Sequence, residues 1–195
     1  NQPELASLPD DGEELTAKRR QMLGLDKATP VRASYDMVVV GGGIAGMCAA
    51  VAAARNGMDV ALVNDRPVLG GNNSSEVRVH LGGYTEIGPN KGLGRMIREF
   101  GHSRAGNAKP GDYYEDEKKD SFIANEKGVT LYPCYRAVSV TNAGNRIKYV
   151  TLTHIENSNE VVLSAPLFCD CTGDGTIGYL AGADFAMGRE ARSEY

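Results

Sequence analysis

The pattern of apolar and polar positions changes character at Tyr35. Before it, residues 1–34 are charged and carry Pro3, Pro9 and Pro30. Within them, Glu13–Leu23 suits one short helix, which Asp11 or Gly12 would cap and Gly24 would end. This extension is expected to pack on the outside of the domain beyond it or to serve as a linker. After it, Asp36–Val40 reads DMVVV, a β-branched run without alternation. That is the pattern of a strand buried on both faces in a parallel sheet. Gly41, Gly42 and Gly43 come next, then the alanine-rich stretch Ile44–Asn56, which predicts a helix ended by Gly57. Asp59–Asn64 (DVALVN) reads as a second buried strand. Together they make a β-α-β unit of about 30 residues, the usual size of that motif.

Beyond it, residues 65–90 are rich in Gly, Asn and Ser and read as loop. Gly92–Phe100 and Tyr114–Lys127 suit helices, and Val129–Pro133 suits a strand. Ala137–Thr141, Ile147–Ile155 and Glu160–Ser164 alternate between Asn/Gly turns, which predicts an antiparallel meander. Pro166–Cys171 is apolar again. It runs into Thr172-Gly173-Asp174-Gly175 and a helix from about Thr176 to Ala181.

Composition narrows the class. The chain has 195 residues, 42% hydrophobic and 24% charged, with a formal net charge of -4. This is globular, not disordered or disulfide-built, and the mild acidity leaves no footprint for nucleic acid or an anionic membrane. No apolar run is long enough to span a bilayer. Cys48, Cys134, Cys169 and Cys171 form no CxxC pair, so zinc-site and thioredoxin-type spacings are absent. Cys169 and Cys171 share one strand face and are expected to be a buried pair of small side chains. The glycine content is the outlier, 24 residues, about 12% against a usual ~7%. The glycines are clustered, which points to special backbone sites.

The first cluster has a specific chemistry. Gly41-Gly42-Gly43-Ile44-Ala45-Gly46 is GxGxxG between a strand and a helix. Gly41 permits the tight turn, Gly43 admits a pyrophosphate to the backbone, and Gly46 lets helix and strand close. The N–H groups at the helix start, around Ile44 and Ala45, favour phosphate. An acceptor for the ribose belongs at the end of the second strand. Asn64 stands there where an acidic residue is expected, with Asp65 next to it. Arg66 is placed to stack on adenine or to meet a 2′-phosphate.

GxGxxG alone leaves FAD and NAD(P) both open. Residues 35–83, with DRPVLGGN after the second strand, resemble the N-terminal segment of FAD-dependent oxidoreductases of the glutathione-reductase-like fold. Residues 167–190, with DCTGDGTIG, resemble that superfamily's second FAD motif. The resemblance implies an α/β fold: a Rossmann-like FAD-binding domain with a parallel central sheet and an antiparallel β-meander, over residues 35–195. It implies FAD as cofactor and hydride transfer to or from an unknown small molecule. It assigns Gly70 and Gly71 to the FAD pyrophosphate and ribityl chain. It assigns Asp174, with Thr172 and Gly173, to ribityl or ribose hydroxyls. A helix cap is the other role open to Asp174. Asn72, Asn73, Ser75 and Arg78 can serve phosphate oxygens, and Val138 in the meander completes the candidate contacts.

Asn72–Ser75 occupy the place of the redox cysteines of disulfide reductases in this superfamily, which argues against that chemistry. His80 runs toward the expected flavin ring, as a base or a covalent tether. His102 suits a helix end, and His154 a surface position. Two other readings stay open: an NAD(P)-dependent dehydrogenase and a non-catalytic dinucleotide-binding module. The motifs account for a cofactor portion, so the chain is expected to be part of a longer enzyme whose substrate domain and catalytic acid or base lie elsewhere. Compartment and oligomeric state are left open.

Overall fold

The computed structural model describes residues 12–25, 29–83, 86–101, 104–189 and 191–194. The proposed Asp11 cap and His102 lie outside these residues. In chain order the elements are α1 (Gly12–Met22), β1 (Val31–Ser34), β2 (Met37–Val40), α2 (Ile44–Arg55), β3 (Val60–Asn64), α3 (Gly94–Phe100), α4 (Asp116–Ala124), β4 (Val129–Pro133), β5 (Tyr135–Ala143), β6 (Arg146–His154), β7 (Glu160–Ser164), β8 (Leu167–Asp170) and α5 (Thr176–Leu180). A single 3-10 turn, Gly111–Tyr114, precedes α4.

Two four-stranded sheets result. One is wholly parallel, in the order β4-β3-β2-β8. The other is the meander β5-β6-β7, antiparallel throughout, with β1 added in parallel at its edge. The first meander strand, β5, runs longer than the alternation predicts, and the β5–β6 register shifts between Ala137 and Ser139 and between Thr141 and Asn142. The strand β1 departs from the expectation of a plain extension. Residues 31–34 extend a sheet, with Val31 facing Val161. Four residues after a proline carry too little local pattern to declare a strand; the free edge of β7 supplies the backbone partners. Farther back, Arg20 pairs with Glu160, which ties α1 to the same strand.

The molecule has three layers. Val38, Val40, Ala61 and Val63 face the meander and meet Val150, Leu152, Val161 and Leu163. On the opposite face Val39, Val60 and Leu62 meet Met47, Ala50 and Val51 of α2, together with Phe100 and Ile123. Burial on both faces explains the unalternating DMVVV and DVALVN runs. The small residues of α2 let it lie close to the sheet. Among the described residues no helix is long and apolar enough to cross a membrane.

Leu152 is fully buried between the two sheets. Leu152→Ala is expected to cost about 2–5 kcal/mol of stability, read as a lower midpoint in urea unfolding.

Candidate functional site

The C-terminal ends of β2, β3 and β8 open into one cavity of about 670 Å³, within the usual range for small-molecule sites. The chain turns from β2 into α2 on one side and delivers β8 on the other, so the cavity lies where the strand order switches. Ligands of open α/β sheets gather at such points. Its floor is Gly41–Ala45. Its walls are Asn64–Arg66, Gly70–Asn73, Val79–Leu81, Tyr135–Ala137 and Cys171–Asp174.

The glycine turn is shaped from behind. Gly41 has φ +112°, and a Cβ on it would lie 2.1 Å from the Cys171 carbonyl oxygen. A Cβ on Gly46 would lie 1.8 Å from the Gly41 carbonyl oxygen. Gly46 is therefore a packing residue beneath the floor and does not line the cavity. Gly43 differs. Its φ is -70°, which any residue adopts, and a Cβ there would meet only Gly71 Cα at 3.9 Å. The space that this Cβ would fill belongs to the cavity. Gly43 is also the N-cap of α2 and provides no side-chain cap. The first-turn N–H groups of a 12-residue helix thus face the cavity with the positive end of the helix dipole.

The Gly70–Arg78 loop is a braced wall. The Gly70 N–H donates to the Gly42 carbonyl at 2.9 Å. Ser74 Oγ donates to the Gly71 carbonyl at 2.7 Å, and Asn73 Nδ2 to the Val79 carbonyl at 2.9 Å. The Ser75 N–H donates to both Asp116 carboxylate oxygens. The fully buried Lys119 donates to Asp116 Oδ1 and to the Tyr114 carbonyl. Arg78 turns away, with φ +63°, and its Nε donates to the Ser75 carbonyl. Ser75 and Arg78 lie outside the cavity lining, with the Ser75 backbone and the Arg78 Nε holding the loop together. Val138 also lies outside it, while its neighbours Tyr135, Arg136 and Ala137 line it.

At the end of β3, Asn64 is buried, and its Nδ2 donates to the carbonyls of Arg66 and Val68 at 2.8 and 2.9 Å. The amide organises the following loop. Asp65 accepts a bond from Arg136 at 3.2 Å, and Arg66 pairs with Glu76 at 3.3 Å. Among the described residues, Asn73 Oδ1 is the one buried side-chain N or O atom without a hydrogen-bond partner.

The end of β8 separates the two roles open to Asp174. Asp174 does not cap α5; it is exposed and lines the cavity. The cap comes from Asp170, a residue that the sequence pattern does not single out. Asp170 Oδ2 accepts N–H bonds from Ile177 at 2.7 Å and Gly178 at 3.1 Å. Its Oδ1 accepts from the Thr172 hydroxyl at 2.7 Å and the Thr172 N–H at 3.1 Å. A DxT spacing ahead of a Gly-Asp-Gly turn is the one signal the sequence holds for it. Burial pushes the Asp170 carboxyl upward, but these bonds outweigh it and hold the group below the ordinary aspartate range.

His80 lines the cavity. Its backbone N–H and its Nδ1 both meet Asn107 Oδ1, at 2.9 and 2.8 Å. The amide oxygen accepts, so Nδ1 carries the proton in the neutral ring and Nε2, beside Gly82, holds the lone pair. His154 is half-buried, not a surface residue. Its ring stands edge-on to Tyr135 at 5.0 Å, and its Nδ1 accepts turn N–H groups of Glu156 and Asn157.

A family model described as FAD dependent oxidoreductase matches residues 36–195. Among curated proteins none matches the chain. Solved structures share the fold. The Thermovibrio ammonificans THI4 structure has a TM-score of 0.55 at 18% identity, over 86% of this chain and 65% of that one. A geranylgeranyl bacteriochlorophyll reductase-like protein from Thermoplasma acidophilum has 0.50 at 19% identity, over 78% and 43%. E. coli quinol fumarate reductase FrdA has 0.50 at 12% identity, over 73% and 33%. This chain therefore spans less than two thirds of each of these proteins.

A carboxyl held low in the folded state stabilises it above the ordinary aspartate value of ~3.9, and that stability is lost as pH falls through the lowered value. Asp170→Asn is thus expected to cost about 1–2 kcal/mol at pH 7. In denaturant unfolding across pH, the gap to the native protein should narrow on acidification.

Proposed function

Because this chain belongs to the FAD dependent oxidoreductase family, we propose that the cavity at the ends of β2, β3 and β8 holds FAD, and that the protein transfers hydride between the flavin and a small molecule. The observation that carries this is Gly43. No protein atom requires glycine there, and the uncapped α2 N-terminus opens into the same space. A pyrophosphate seated on that turn accounts for both.

The other residues divide the work along an elongated ligand. The first-turn N–H groups at Ile44 and Ala45 donate to phosphate oxygens. At the adenosine end the Nδ2 of Asn64 is spent on the loop, which leaves its Oδ1 and the neighbouring Asp65, held by Arg136, as the acceptors for the ribose hydroxyls. Asp174 and the Thr172-Gly173 backbone receive the ribityl hydroxyls. Gly70, Gly71 and Asn72 close the cavity along its length, and the unpartnered Asn73 Oδ1 in the same wall calls for a donor, which the ribityl chain carries. When bound, FAD supplies the redox chemistry at its isoalloxazine ring. His80 is the residue of the wall equipped to take a proton there. Asn107 fixes its ring and leaves Nε2 basic.

Purified protein reconstituted with FAD is expected to show a flavin spectrum that bleaches with dithionite. Gly43→Ala should change the stability of the unliganded protein by less than about 1 kcal/mol, while weakening FAD binding tenfold or more, about 1.4 kcal/mol, by flavin fluorescence titration. A colourless protein that binds NAD, or unchanged FAD affinity in Gly43→Ala, would overturn the reading.

A further inference from the structure

Cys171 lines the cavity and Cys169 does not; their sulfurs lie 3.5 Å apart, neither in a disulfide. Both point to one face of the parallel sheet's edge strand, next to Met47, Ala50 and Val51 of α2. Both are half-buried, on a strand that forms one edge of the parallel sheet. Alternate residues of a strand are separated by about 6.4–6.8 Å. That falls at the upper end of the Cα range a disulfide bridges, about 4.4–6.8 Å. With the thiols already facing, a small inward movement closes the bond. Among the described residues no third Cys, His, Asp or Glu completes a metal site around them.

We propose that Cys169 and Cys171 form a reversible disulfide, a modification site on the wall of the cofactor cavity. The oxidant is a low-molecular-weight disulfide such as oxidised glutathione. One cysteine thiolate attacks a sulfur of that disulfide, giving a mixed disulfide and one glutathione thiolate. The second cysteine thiolate attacks the protein-bound sulfur and releases the other glutathione. Two thiols of the protein lose two protons and two electrons, and one small disulfide becomes two thiols. A bridge at the limit of its reach is strained, and strain makes it easily reduced.

Closure acts on the cavity through Cys171. The Cys171 carbonyl is the atom that abuts Gly41, and its Cβ sits 3.3 Å from where a Cβ on Gly46 would lie. The next residues, Thr172-Gly173-Asp174, line the cavity. Drawing residue 171 toward residue 169 therefore displaces the support of the glycine turn. The oxidised form is expected to bind FAD at least threefold more weakly. By linkage, bound FAD disfavours oxidation by the same factor. This second part rests on the cavity being the FAD site; the disulfide itself does not.

Trypsin leaves both cysteines in one peptide, Tyr149–Arg189, which contains neither Cys48 nor Cys134. The whole chain, equilibrated with reduced and oxidised glutathione, alkylated and digested, should yield this peptide unalkylated and lighter by two hydrogens. Dithiothreitol should reverse this. Cys169→Ala and Cys171→Ala, made separately in case one does not fold, should both abolish it. A peptide that stays fully alkylated, or carries glutathione on both cysteines, overturns the disulfide. A disulfide that forms while FAD fluorescence titration gives equal affinities in the two forms overturns the coupling. Reduced protein that does not bind FAD overturns the cofactor assignment and leaves the peptide mass to decide the disulfide.

Discussion

Between the ends of β2 and β8 the backbone leaves no room for a side chain, and the cavity is a consequence of that closeness. The Gly41 turn rests against the Cys171 carbonyl, and the start of α2 rests against Gly41 through Gly46. Were either glycine larger, β8 and α2 would have to move apart. The first-turn N–H groups of α2 would then no longer be aimed into the crevice where strand order reverses. Contacts of this kind are steric and short-ranged, so they tolerate almost no compensation by neighbours. The helix dipole and the free N–H groups are generic to helices; here the packing around the glycine turn directs them at one point.

The second wall depends on polar bonds where the first depends on shape. The Gly70–Arg78 loop has little apolar burial of its own beyond Leu69 at its entry. Its Ser75 N–H is held by Asp116, which in turn is held by a lysine buried without access to water. A buried lysine is costly unless its protons are satisfied, and Lys119 meets a carboxylate and a carbonyl. One cavity thus joins a rigid floor to a wall whose position is set by a small charge network on α4. Shape and charge respond differently to salt, temperature and mutation.

Much of this architecture is readable from residue pattern because the pattern has local causes. A strand buried on both faces needs an unbroken apolar run, and β2 and β3 have one. GxGxxG lies between strand and helix because sterics admit nothing larger at its ends. What the pattern misses is decided by distant partners. The strand β1 exists because β7 offers an edge. Asp170 caps α5 through a turn whose shape becomes visible only once Thr172 and Ile177 are placed. Ser75 and Arg78 look like phosphate donors in sequence, but in the structure both lie outside the cavity lining, with the Ser75 N–H on Asp116 and the Arg78 Nε on the loop itself. Asn64 reads in sequence as a ribose acceptor alone, and its Nδ2 also braces residues 66–68.

The pairings of β1 and β2 also carry information about time. Val31 faces Val161, and Met37 faces Leu167, each pair 130 positions apart in the chain. Both sheets are closed by contacts between early and late parts of the same polypeptide. Such long loops are entropically slow to close, and parallel pairing has no hairpin to shorten them. A chain emerging from the ribosome presents β2, one of the two central strands of the parallel sheet, long before β8 is made. Through that interval one edge of β2 is bare and intensely apolar. Until β8 arrives, everything up to β7 therefore travels as a partly assembled sheet that is vulnerable to aggregation.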